Sequence, residues 1–280
     1  MCGITGFIEN INTKADKRSI TLMTDSLSKR GPDYQSYFID KNYAIGHARL
    51  SIIDLSPQSN QPVKSKSGRF IISFNGEIYN FKKLQKNIDL DYKQKMSDTL
   101  TLLQYIDIFG IEKTLNNIKG MFAFALIDKK ENTLTFARDI AGEKPLYYGY
   151  IEKNHSKSFV FGSQLSCLSK HKNWNNEINK NSLNFFLNLG FIPGENSIYK
   201  NIKKINPGNY LCIDISNSEI LFNKKWYKKE KILVNNNNSF KNIKTDLKNK
   251  LNSTIVDSSV SDVPLGAHLS GGIDSSLVCS

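Results

Sequence analysis

Apolar residues along this chain come in short runs divided by polar turns, and their spacing predicts the elements. A short apolar run, Ile4 to Ile8, comes first. A helix-like stretch follows, with Ile20, Met23 and Leu27 on one face, and Gly31-Pro32 stops it. Phe70-Ile71-Ile72-Ser73-Phe74 reads as a strand, and so do Gly120 to Ile127 and Leu134 to Arg138, joined by polar turns. Between them, Ser97-Asp98 leads into Leu100, Leu103, Ile106 and Phe109 and then Gly110, which predicts a capped amphipathic helix. Strands and helices mix without regular βαβ alternation, so the predicted class is an α+β layered domain. The polar stretch from about Lys228 to Phe240, with Asn235 to Asn238, reads as a linker or exposed loop. A helix-like segment follows it, and then a Gly/Ser-rich segment of a different kind.

Composition narrows the class. The 280 residues have room for one large or two modest domains, and 39% hydrophobic content supplies a sizeable core. No run approaches the roughly 18 apolar residues of a membrane span, and the segment after Cys2 has no signal-peptide core. A cytoplasmic location and no membrane partner are therefore expected. Cys2, Cys167, Cys212 and Cys279 are scattered without CxxC spacing, which suggests neither a disulfide framework nor a zinc site. No metal site is predicted from the residues. The net charge of +12 rests mostly on lysines, since only five of the 38 basic residues are arginine. Solvated lysines explain that charge better than a nucleic-acid surface, so no nucleic-acid partner is expected.

Candidate chemistry begins at the N-terminus. Removing Met1 would leave Cys2 with both a thiol and a free α-amine, a nucleophile and a base on one residue. An α-amine titrates near ~7.7–8.0 and a thiol near ~8.5, so part of the amine is free at neutral pH to take the thiol's proton and later return it to a leaving group. Acyl transfer also needs an oxyanion hole and clamps for the substrate's charged ends. Arg49 in Gly46-His47-Ala48-Arg49-Leu50-Ser51-Ile52-Ile53-Asp54, at the start of an apolar strand-like run, is either a bidentate carboxylate fork or a surface ion pair at a strand end. Asn75-Gly76 is by default a type I′ hairpin turn, and its second reading is an oxyanion hole built from a side-chain amide and a backbone N–H. Glu77 and Asp98 can grip an ammonium group, and Asp98 is otherwise an ordinary helix N-terminal acid.

Taken in order, Cys2-Gly3-Ile4, Arg30-Gly31-Pro32-Asp33, Gly46-His47-x-Arg49, Phe74-Asn75-Gly76-Glu77-Ile78-Tyr79-Asn80, Ser97-Asp98-Thr99 and Gly120 to Phe124 resemble the class II glutamine amidotransferases, in particular the glutamine-dependent asparagine synthetase family. Arg138-Asp139, Lys144-Pro145-Leu146-Tyr147-Tyr148 and Pro207-Gly208 extend the resemblance over essentially the whole chain. It implies an N-terminal-nucleophile hydrolase fold, a four-layer sandwich of two antiparallel sheets between helices. It also implies that Cys2 attacks the glutamine side-chain amide through a γ-glutamyl thioester. Arg49 would hold the α-carboxylate, Glu77 and Asp98 the α-amino group, Asn75 and the Gly76 N–H the oxyanion, and Leu50, Ile52 and Ile53 the surrounding wall. Lys29 stands where the family usually has His, and Gln164 where it usually has Glu.

Near the end, Leu269-Ser270-Gly271-Gly272-Ile273-Asp274-Ser275-Ser276 lacks the Walker A ending, but its glycines, hydroxyls and following helix suit an anion. As a bare pattern it is equally a flexible turn. By resemblance it is the start of an α/β ATP-pyrophosphatase domain, truncated here, in which ATP and Mg²⁺ activate aspartate for amidation by ammonia. His268 stands where an apolar residue is more usual. The expected organisation is a glutaminase domain over 1–215, a connecting segment over 216–240 and the first part of the synthetase domain over 241–280. The expected activity of these residues alone is cofactor-free glutamine hydrolysis without asparagine synthesis, and a homodimer is a further expectation. Two alternatives stand beside it: an amidotransferase serving another carboxylate, such as a sugar acid or an antibiotic precursor, and a non-catalytic regulatory fragment.

Overall fold

The computed structural model describes residues 1–88, 96–175, 177–228 and 239–280. The chain runs β1 (Gly3–Ile8), α1 (Lys17–Asp25), β2 (Tyr34–Asp40), β3 (Tyr43–Arg49), β4 (Val63–Lys64) and β5 (Phe70–Ile78). Helices α2 (Phe81–Lys86), α3 (Asp98–Phe109) and α4 (Ile111–Asn117) come next, then β6 (Gly120–Asp128), β7 (Thr133–Arg138), β8 (Tyr147–Lys153) and β9 (Ser156–Gly162). It continues through α5 (Leu165–Leu168), α6 (Lys180–Leu189), β10 (Ile202–Lys204), β11 (Asn209–Asp214) and β12 (Ile220–Lys225) to α7 (Phe240–Ser258) and α8 (Ile273–Cys279).

The strands make two six-stranded antiparallel sheets, ordered β10-β8-β9-β1-β3-β2 and β12-β11-β7-β6-β5-β4. Side-chain alternation assigns each strand's two faces. On β6, Ala123, Ala125 and Ile127 join Ile4, Ile8, Ile45, Phe136, Phe159 and Phe161 in a core between the sheets. Phe122, Phe124 and Leu126 turn the other way and pack with Leu102, Leu103 and Ile106 of α3. On the far side of the first sheet, Phe7, Ala44 and Ala48 meet Ile20 and Met23 of α1 and Cys167 and Leu168 of α5. The result is helix, sheet, sheet, helix, the predicted α+β sandwich.

Strands β1 and β3 are buried along their whole length, and β1 accordingly reads as a run of apolar and small residues rather than an alternating one. Gly46 on β3 sits where a Cβ would lie 2.2 Å from Thr24 Oγ1 of α1, so the small residue sets how closely that helix packs. Helix α3 begins as expected, with the Ser97 hydroxyl accepting from Leu100 N and Gly110 ending it. Strand β12 pairs with β11, so the segment 216–240 opens on a strand of the second sheet. Residues 229–238 of the expected linker lie outside the described residues. Beyond them, α7 and α8 bury no residue, and Asp262 reaches back, its N–H donating to Ile52 O (2.9 Å) and its carboxylate accepting from Asp54 N (2.8 Å).

Candidate active site

Alternation also decides what faces the gap between the sheets. On β1, Ile4 and Ile8 point inward, so Cys2 shares their parity; on β3, Ile45 points inward, and His47 and Arg49 follow it. Gly3 pairs with Ala48, so extending the register by one sets Cys2 beside Arg49. On β5, Ile71 points inward, and Ser73, Asn75 and Glu77 follow it. Cys2, Arg49, Leu50, Ile52, Ile53, Asn75, Gly76, Glu77 and Asp98 all line one pocket at this open end of the sandwich.

The Cys2 thiol lies 3.4 Å from Leu50 N and 3.6 Å from Leu50 O, and burial pushes its pKa up, an effect the Leu50 contact opposes. Arg30-Gly31-Pro32-Asp33 braces the residues around it. Arg30 Nε donates to Cys2 O (2.9 Å), and Asp33 takes Ser51 N (2.7 Å) while its own N–H donates to Arg49 O (3.0 Å). Gly31 lies so close to β3 that a Cβ would be 2.1 Å from the Ala48 carbonyl carbon.

The expected strand-like run after Arg49 is not formed: Arg49 ends β3, and Leu50 to Asp54 is irregular. The carbonyls this loop turns inward explain why. Arg49 Nη1 donates to Ser56 O (2.9 Å) and Asn60 Oδ1 (2.7 Å), and Nη2 donates to Asp54 O. The other two of the five guanidinium N–H groups have no protein partner among the described residues, and Arg49 lines the pocket. The surface ion-pair alternative falls, because Arg49 is buried and no carboxylate pairs with it among the described residues.

Nor is Asn75-Gly76 a hairpin turn. Both residues lie inside β5, where Asn75 pairs with Ala123 and Gly76 with Phe122. At Gly76 a Cβ would be 2.1 Å from Met121 O, so contact between the two backbones excludes any larger residue. Asn75 lines the pocket, and its buried Nδ2 has no hydrogen-bond partner among the described residues, a costly state for an amide donor. Asp98, in the first turn of α3, accepts from Ile78 N (3.0 Å) and Thr99 N (2.7 Å). Burial raises its pKa to about 6 against those bonds, with the Glu77 charge adding to the rise. Burial raises Glu77 as well, with Lys144 opposing it.

Several pocket residues escape the sequence reading. Gln61 Oε1 takes Phe74 N (2.7 Å) and its amide reaches Thr99 Oγ1 (3.5 Å), tying β5 to α3. Lys144 also enters the pocket, and Met121 lines it from β6. Gln61 stands in a polar stretch with no periodicity to mark it, whereas Lys144 stands in a motif the sequence did single out. Lys29 is exposed and outside the pocket.

The late motif forms as a loop and a helix. Gly271 takes φ +81°, Gly272 caps the seven-residue α8, and Ser270 Oγ lies 2.9 Å from Ser275 Oγ. Leu269, Ser270, Gly271, Gly272, Asp274 and Ser276 are exposed, Ser275 is half-buried, and His268 is exposed beside them. Nothing lies within 4 Å of a Cβ placed on Gly271, and no cluster of potential metal ligands occurs among the described residues. The residues present do not form a closed cradle for ATP or Mg²⁺.

The glutamine amidotransferase domain family matches residues 1–227, and the asparagine synthase family matches residues 246–280. Asparagine synthetase 3 (glutamine-hydrolyzing) of Bacillus subtilis is 32% identical over 99% of this chain and 44% of its own length. Asparagine synthetase B of Escherichia coli is 28% identical over 99% of this chain and 44% of its own length. The chain spans about half the length of the curated relatives it matches. Among solved structures, the glutamine phosphoribosylpyrophosphate amidotransferase of B. subtilis, complexed with ADP and GMP, superposes with a TM-score of 0.57 at 17% identity, over 81% of this chain and 50% of that one. That likeness speaks to the fold alone, while the 227-residue match speaks to descent. The chain belongs to the glutamine amidotransferase domain family.

Proposed function

We propose that this chain is the glutamine-hydrolysing part of an asparagine synthetase, with Cys2 as nucleophile once Met1 is removed. The observation that carries the reading is Asn75 Nδ2, a buried donor without a partner among the described residues, on a residue that lines the same pocket as Cys2. A donor left unpaired in the resting protein is available where negative charge develops.

The α-amine of Cys2 takes the thiol proton, and Sγ attacks the side-chain amide carbon of glutamine. The oxygen becomes an oxyanion held by Asn75 Nδ2 and Gly76 N–H. As the C–N bond breaks, the ammonium on Cys2 returns its proton to the departing nitrogen, giving ammonia and a γ-glutamyl thioester. Water then splits the thioester to glutamate and restores the thiol. The two free N–H groups of Arg49 fit the substrate α-carboxylate, and ionised Asp98 and Glu77 fit its ammonium. Leu50, Ile52 and Ile53 wall the pocket and limit water around the reacting centre.

The match over 246–280 supports aspartate as the eventual acceptor, with ATP and Mg²⁺ acting in the complete enzyme. No helix among the described residues is long and apolar enough to cross a membrane. A cytoplasmic location and a homodimer belong to the same proposal, and sedimentation of the purified chain tests the dimer. The function is tested by glutamate release from glutamine, with the N-terminus read by mass spectrometry and Cys2→Ala as control. Release that survives Cys2→Ala, or none from a folded chain that begins at Cys2, overturns the reading.

A further inference from the structure

The loop between β7 and β8 is fixed by more hydrogen bonds than a surface connection needs. The buried Asp139 carboxylate accepts from Phe122 N (3.2 Å), Glu143 N (2.9 Å) and Lys144 N (3.1 Å). From the other side, Arg138 Nε donates to Lys144 O (2.7 Å), Nη1 to Ile205 O (2.6 Å) and Nη2 to Gly142 O. Lys144 thus has both of its backbone polar groups held, and what the loop delivers is its side chain. That side chain is 6% exposed and lines the Cys2 pocket. No carboxylate pairs with it among the described residues, and its Nζ meets only Met1 Sδ, at 3.4 Å. A buried ammonium with a thioether as its one partner is costly, and Met1 is the residue whose removal the proposed function requires.

We propose that Lys144 is a positioning residue for the N-terminal nucleophile: its ammonium, set in the pocket by Arg138 and Asp139, keeps the α-amine of Cys2 in the neutral form that accepts the thiol proton. The inference rests on the glutaminase reading above. With Met1 in place, the chain's N-terminal amine is already pushed below its ordinary value, by burial first. Arg30 and Lys144 push the same way, against the Cys2 thiol and Asp33, and Glu77 faces the terminus as well. Arg30 also holds the Cys2 carbonyl, so changing it moves the nucleophile, whereas Lys144 allows the charge alone to be removed.

The test uses the chain beginning at Cys2, as wild type, K144M and K144R, each checked by thermal melting, with K144Q replacing K144M if the latter does not fold. The pH dependence of α-amine acetylation by acetic anhydride, read by mass spectrometry, reports the amine directly. Glutamate release gives the acidic limb of kcat/KM. Cys2 and Lys144 line the same pocket, and a unit charge within about 10 Å, in a medium between protein and water, moves such a group by about half a pH unit. K144M should therefore shift the amine titration and the acidic limb upward by that much, lowering kcat/KM about threefold below the limb and restoring it at high pH. K144R should leave the limb at its wild-type position. Coincident acetylation profiles for K144M and wild type overturn the proposal, as does a uniform loss of kcat/KM at every pH. Wild type without Cys2-dependent glutamate release would instead overturn the glutaminase reading, and acetylation would still decide the effect of Lys144 on the amine.

Discussion

Asn75→Ala separates catalysis from stability at a single atom. Asn75 Nδ2 is buried without a partner among the described residues, and such a donor costs roughly 1–3 kcal/mol of desolvation. Truncation removes that penalty and gives up some packing in return, two terms of similar size and opposite sign. At about 2–4 °C per kcal/mol for a domain of this size, the melting temperature should stay within about 3 °C of wild type. The transition state responds differently. Losing one oxyanion donor costs about 2.7–4 kcal/mol, so kcat for glutamate release should fall about 10²–10³-fold. KM should change little, because the donor serves charge that develops only during the reaction. Calorimetric melting and steady-state glutaminase assays on the same preparation check both halves. A fall in kcat of less than about tenfold would refute the oxyanion assignment. A fall accompanied by a loss of more than about 10 °C in melting temperature would show Asn75 to be a structural residue.

Gly76→Ala should lower unfolding free energy in urea by about 1–3 kcal/mol, because its Cβ would lie 2.1 Å from Met121 O and neither strand can yield without breaking the β5–β6 ladder; stability within 0.5 kcal/mol of wild type would count against that contact. Asp98→Asn should raise KM for glutamine roughly ten- to hundredfold with a smaller change in kcat, the size of one charge-assisted hydrogen bond, and the native enzyme should lose glutamine affinity as the pH falls below about 6, where Asp98 protonates. His47 is buried, donates from Nε2 to Phe74 O (2.9 Å), and burial lowers its pKa from 6.5 to about 4. A folded-state value below the unfolded one gives stability that is complete above pH 6.5 and is lost as the pH falls toward 4, and the gap of about 2.5 pH units corresponds to roughly 3 kcal/mol. His47→Gln can keep a donor to Phe74 O without a titrating ring, so its urea midpoint should vary less than that of wild type between pH 7 and pH 4; equal slopes would show that the acid sensitivity lies elsewhere.

The helices were legible where local chemistry marks them. Ser97 caps α3, Gly110 ends it, and Ile20, Met23 and Leu27 are all fully buried beneath the first sheet. The strands were legible only in part. The core strands β5, β6 and β7 could be read as apolar runs, but β8 to β12 carry mixed residues, and their pairing partners lie far away in sequence. Two local readings failed for one reason. Asn-Gly favours a turn and an apolar run favours a strand, yet β6 lies against Asn75-Gly76 as a paired strand, and Arg49 draws the carbonyls of residues 54 and 56 out of any ladder. In both places a tertiary contact outweighs a propensity worth less than one hydrogen bond.

The same two places hold the residues of the proposed site, and the sandwich geometry explains why. Within the gap between the sheets, inward positions must be apolar to fill the core, as Ile4, Ile45, Ile71 and Ala125 are. Followed toward one end, the same inward rows change character: Ile4 gives way to Cys2, Ile45 to His47 and Arg49, and Ile71 to Ser73, Asn75 and Glu77. His47 and Ser73 stand at the changeover. The Ser73 hydroxyl donates to Gly46 O (3.1 Å) and His47 to Phe74 O, so the two sheets are hydrogen-bonded to each other just before the pocket opens. Cys2, Arg49 and Asn75, the groups proposed to act on glutamine, are thus each one or two residues beyond a cross-sheet bond or a buried isoleucine. The site's rigidity comes from the core beneath it, while its polarity comes from standing where that core ends.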